Sequence, residues 1–130
     1  MLWYKEEAEQ LVELVKNYIG EEVSIREGAH CFDKNSNLAN SIIPKGYTWK
    51  HSETLKEGTK ATLINASFHL IGKKENNEED VYYVDCVVAV ENEAFCYLWE
   101  GIKLDKMPLH EQQFNNSYLK ELDKKFSKFK

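Results

Sequence analysis

Arginine is almost missing from this chain. Arg26 is the only one among 130 residues, and the other sixteen basic residues are lysines. Proteins that read phosphates or DNA favour the arginine fork, so the scarcity counts against that class. Proline is scarce too, with Pro44 and Pro108 alone, and six glycines do not make a low-complexity chain. The three cysteines, Cys31, Cys86 and Cys96, are odd in number and follow no CxxC or Cys/His spacing. They are expected to be free thiols in a reducing, cytoplasmic setting. No apolar run approaches the ~18 residues of a membrane span. The N-terminus turns acidic within a few residues, so no secretory signal is expected. No glycine-rich phosphate loop, GxSxG or HExxH is present. His30, His51, His69 and His110 lack zinc-ligand spacing, so neither metal nor cofactor is expected.

Charge is what the sequence distributes unevenly. Residues 1–74 balance ten bases against ten acids. Residues 75–100 carry eight acids and no base. Residues 101–130 carry seven lysines and four acids, on a segment that also has helical periodicity. An acidic middle repels phosphate backbones and attracts a basic protein surface.

At 42% apolar and 30% charged, the chain has the composition of one folded domain over residues 1–130. Tyr4, Ala8, Leu11, Val15 and Tyr18 recur at helical steps over 3–19, and Gly20 suits the position after the helix. Phe114, Tyr118, Leu122 and Phe126 form a second stripe over 108–129. Between them, 60–74, 79–91 and 94–104 read as three extended runs joined by turns at Asn76-Asn77 and Asn92-Glu93. Pairing outward from those turns sets Lys73 opposite Asp80, Ser67 and Trp99 opposite Cys86, and Glu100 opposite Asp85. Both faces of such a sheet are apolar, so both are covered or the sheet curls. The expected fold is α+β: a mostly antiparallel, curved sheet of four to six strands packed by an N-terminal and a C-terminal helix. It resembles cystatin-like and NTF2-like cones in strand length, a likeness of fold that implies no function.

Three functions follow from these registers. The first is a small acidic, non-enzymatic inhibitor or immunity-type protein that neutralises a basic protein partner. Glu78, Glu79, Asp80, Glu91 and Glu93 would supply charge, and Tyr47, Trp49 and Lys50 an aromatic anchor. The second is a small-ligand binder whose pocket is lined by Asn65, His69, Cys86, Tyr97 and Trp99, with Asp85 and Glu100 nearby. The third is an acid/base enzyme using Asp85 and Glu100, since facing carboxylates split their pKa values.

Overall fold

The computed structural model describes residues 2–29, 31, 42–50, 54–73 and 80–107. Strand β1 (Trp3–Tyr4) leads into helix α1 (Lys5–Lys16), followed by β2 (Glu22–Ile25) and β3 (Thr48–Trp49). Then come the long strands β4 (Lys60–Lys73) and β5 (Asp80–Val90), and β6 (Glu93–Leu98). A 3₁₀ turn at Trp99–Gly101 delivers the chain to β7 (Ile102–Leu104). The sheet order is β3-β6-β5-β4-β2-β7, with β1 beside β5 on the same edge as β6.

This corrects the expected architecture. The sheet has seven strands and is mixed, because β3 runs parallel to β6. A single long α-helix, not two, packs on it among the described residues. The C-terminal helix expected over 108–129 lies outside the described residues. Trp3 and Tyr4, expected inside the first helix, pair with Tyr82 and Val81 instead. That pairing buries the Trp3 side chain completely. The helix starts after it, where the Tyr4 N–H donates to Glu7 Oε2 at 3.2 Å and Glu6 and Glu7 meet the positive end of the helix. It ends ahead of Gly20, whose φ of 96° is available to glycine at little cost and whose N–H donates to Leu63 O at 2.7 Å.

Both sheet faces are covered. Ala8, Leu11, Val12 and Val15 of α1 lie over Leu63, Val84, Cys86 and Val88 in the main core. On the other face, Val87, Ala94 and Cys96 pack under Ile42, Ile43, Tyr47 and Trp49. The near-continuous apolar run of β5 thus follows from burial on both sides.

The register around Lys73 and Asp80 is the expected one. It does not persist. Register shifts between Leu70 and Gly72, and again between Leu63 and Asn65, leave Ile71 and Ile64 as extra residues. Each β-bulge turns the following side chains to the opposite face. The second hairpin also departs from expectation, by two residues. Glu91 adopts φ 56° and the turn closes at Glu91-Asn92, pairing Val90 with Glu93. Cys86 therefore faces Tyr97, not Trp99, and Asp85 faces Leu98, not Glu100.

Leu63 is fully buried beneath the helix, whereas Ile19 is half-exposed. Leu63→Ala is expected to cost roughly 2–5 kcal/mol and Ile19→Ala less than about 0.5 kcal/mol. Urea unfolding midpoints of the two variants check this difference.

Candidate functional site

The two bulges decide which polar groups meet. Between them, Ser67 pairs with Asp85 and His69 with Tyr83, so His69 stands diagonally across from Asp85 on one face. Unbulged pairing had placed these two on opposite faces. In the structure, His69 Nδ1 hydrogen-bonds Asp85 Oδ2. Their side chains are 13% and 3% exposed. The His69 ring also meets Tyr83 edge-on, with centroids 5.6 Å apart.

Among the described residues Asp85 is the one buried acid, and its other oxygen, Oδ1, is enclosed without a hydrogen-bond partner. Desolvation raises its pKa, and the hydrogen bond and charge of His69 offset only part of that rise. A carboxyl in this condition can hold a proton more readily than a surface one, or accept a donor brought by a ligand.

The expected pocket residues divide between the two faces. Asn65 shares the face of His69 and Asp85, because it pairs with Val87. Its Nδ2 donates to Ile42 O at 2.7 Å, and its Oδ1 accepts the Ala66 N–H at 2.9 Å. Cys86, Tyr97 and Trp99 belong to the helix-side core. Burial pushes the Cys86 and Cys96 thiols up, with nearby acidic groups adding to the rise, so both sulfurs stay protonated and non-nucleophilic. Tyr97 is pushed up to about 12, chiefly by burial, while its hydroxyl oxygen accepts the Leu55 N–H at 2.7 Å. Glu100 sits in the 3₁₀ turn, so the facing carboxylate pair that acid/base chemistry needed is not formed.

The expected partner-binding residues divide as well. Asp80 begins β5 and Glu91 follows its end, roughly 33 Å away for a strand of this length. Glu93 forms a surface ion pair with Lys50 at 3.6 Å, worth at most ~1 kcal/mol. Tyr47 and Trp49 pack onto Val87, Ala94 and Cys96, so they cover the sheet. Glu78 and Glu79 lie outside the described residues. Sequence reading passed over Leu70 and Ile71, which are 55% and 45% exposed. Two apolar residues beside an acidic run were the available signal.

No protein-family model matches this chain, and comparison with curated proteins and with solved structures found no match. Among the described residues, no three His, Cys, Asp or Glu side chains are grouped to hold a metal ion. No described helix is long and apolar enough to cross a membrane.

The raised pKa of Asp85 has a definite sign in stability. Above that value the carboxylate is ionised both folded and unfolded, and the folded state carries the desolvation cost. As pH falls from there toward the ordinary 3.8, the folded state takes up the proton first and the cost is relieved. Wild type should therefore gain stability relative to Asp85→Asn on acidification through that window, as read from urea midpoints. His69→Ala, which strips Asp85 of its partner, should cost roughly 1–3 kcal/mol at neutral pH in the same measurement.

Proposed function

We propose that the chain is an acidic cytoplasmic binding protein that neutralises a basic protein partner, engaging it through the far end of the β4–β5 hairpin. The observation that carries this reading is the exposure of Leu70 and Ile71 side by side on β4. Half-buried Tyr82 pairs with Leu70 on β5, and Asp80 lies at the start of that strand. The connecting sequence adds Glu75, Glu78 and Glu79. An apolar centre with a charged rim is the ordinary anatomy of a protein interface. Charge of one sign on the rim accelerates encounter with a partner of the other sign. The aromatic anchor assigned to Tyr47 and Trp49 has no part in it, since those rings serve the second core.

A small-ligand reading is favoured by one feature, the enclosed Oδ1 of Asp85, which a ligand N–H or O–H would satisfy. The acid/base reading loses the facing Glu100 on which it depended.

The test is capture from lysate of the source cells with wild type and with a Leu70→Asp/Ile71→Asp variant of unchanged circular dichroism. Stopped-flow association with the purified captured protein follows. A basic protein held by wild type and lost by the variant is expected. Reversing Glu78, Glu79 and Asp80 to lysine should slow its association at least about tenfold at low salt, with less effect at high salt. Equal capture by both baits, or an association rate indifferent to charge, would overturn the proposal. Small-ligand binding would instead show as a loss of heat in calorimetry confined to Asp85→Asn.

A further inference from the structure

The sheet face opposite the helix changes character along β5. At one end Ile42, Ile43, Tyr47 and Trp49 pack over Val87, Ala94 and Cys96. Asn65, paired with Val87, is tied to that cover through Ile42 O. One row further along, Ser67, Asp85 and Leu98 stand abreast on β4, β5 and β6. His69 and Tyr83 form the row after that. Ser67, His69, Tyr83 and Leu98 are all half-buried, so the rows around Asp85 reach solvent while Asp85 itself is 2% exposed.

Asp85 has one carboxylate oxygen engaged and one left over. Oδ2 is held by His69 Nδ1, and Oδ1 is enclosed with no hydrogen-bond partner. An acceptor in that position has lost its water and gained no donor in exchange. Burial raises the Asp85 pKa and only His69 opposes the rise, so no lysine or arginine among the described residues neutralises the carboxylate. Directly across from it, Ser67 Oγ makes a long 3.5 Å contact with Phe68 O, which leaves its lone pairs available.

We infer that Asp85 Oδ1, with Ser67 Oγ beside it, binds the ammonium group of a small primary amine. The donor chemistry selects this class. A guanidinium grips a carboxylate through both oxygens, and Oδ2 is already taken. A quaternary ammonium brings charge and no N–H. A metal ion needs more ligands, and among the described residues no three His, Cys, Asp or Glu side chains are grouped. A primary ammonium brings both a positive charge and several donors. One satisfies Oδ1 and a second reaches the serine hydroxyl, which leaves the carbon chain toward Tyr83 and Leu98. The inference rests on the small-ligand reading above, whose ligand class it names, and makes no use of the surface at Leu70 and Ile71.

The experiment follows the His69 ring nitrogens and the Asp85 carboxyl carbon by NMR in isotope-labelled full-length chain. Methylammonium is titrated in at constant ionic strength. Saturable shifts of both groups are expected, with a dissociation constant on the order of tens of millimolar for so small a ligand. Tetramethylammonium, equal in charge, should move them at least about tenfold less at the same concentration. Asp85→Asn with unchanged circular dichroism should weaken binding at least about tenfold, read from the Ser67 and His69 amides. Ser67→Ala, which leaves both cores intact, should weaken it roughly two- to fivefold. Absence of saturation, an equal response to tetramethylammonium, or affinity unchanged in both variants would overturn the inference. Acetamide, a neutral N–H donor, separates the ligand class from the reading beneath it. Shifts with acetamide and none with methylammonium would sink the amine and spare the small-ligand reading. Shifts with neither would sink both.

Discussion

The β4–β5 ladder is the constraint from which the rest of the molecule follows. It is the longest strand pairing in the fold, and every other described strand except β3 and β7 pairs with one of its two members. Its two extra residues set the character of both faces. Between Ile64 and Ile71, a regular stretch of β4 is rotated relative to an unbulged hairpin. That rotation points Ala66 and Phe68 toward the helix-side core and Asn65, Ser67 and His69 toward the face of Asp85. Without the bulges the small and aromatic residues would exchange places with the polar ones. The helix would then rest on Asn, Ser and His, at a cost of ~1–3 kcal/mol for each buried group left without a partner.

Asp85 shows the other side of the same geometry. A carboxylate inside a sheet that is covered on both faces is expensive, and one imidazole does not satisfy all of it. Valine or leucine at this position would fit the pattern of Val84, Val87 and Val88 and would remove that cost. Stability alone therefore does not account for Asp85. The pair does tie β4 to β5 by side chains as well as by main chain, close to the bulge at Ile71. Buried Val81, which pairs with Gly72 just beyond the bulge, holds the same register from the core side.

Much of the secondary structure was legible because periodicity is a local property. The helical stripe from Ala8 to Val15 and the strand character of 60–73 and 80–90 both come from spacings of a few residues. The charge match of Lys73 with Asp80 gave that pairing correctly, while the turn expected at Asn76-Asn77 lies outside the described residues. What sequence could not supply was parity. A bulge is one residue of extra length, and neither Ile64 nor Ile71 differs in type from the strand residues around it. Gly72 was the nearest available hint, since glycine inside a strand often marks a bulge. The turn at Glu91-Asn92 was missed for a related reason, because Glu is an unusual residue for a positive φ. An error of two residues preserves facing and an error of one reverses it. The Cys86 face was therefore read correctly across β6, while the placement of His69 was reversed.

The candidate site suffered more than the fold because sites depend on pairs of side chains, and each pair compounds the register errors on both its strands. His69 and Asp85 were both expected at the ligand pocket, but the unbulged register put them on opposite faces of the sheet, and the bulge at Ile71 joins them. The same bulge leaves Leu70 and Ile71 outward at the end of the ladder. One extra residue thus creates the buried polar pair and, two positions along, the apolar surface on which the proposed function depends. Leaving Leu70 and Ile71 exposed there, on a ladder whose β5 side begins at Asp80, makes physical sense when a partner covers them.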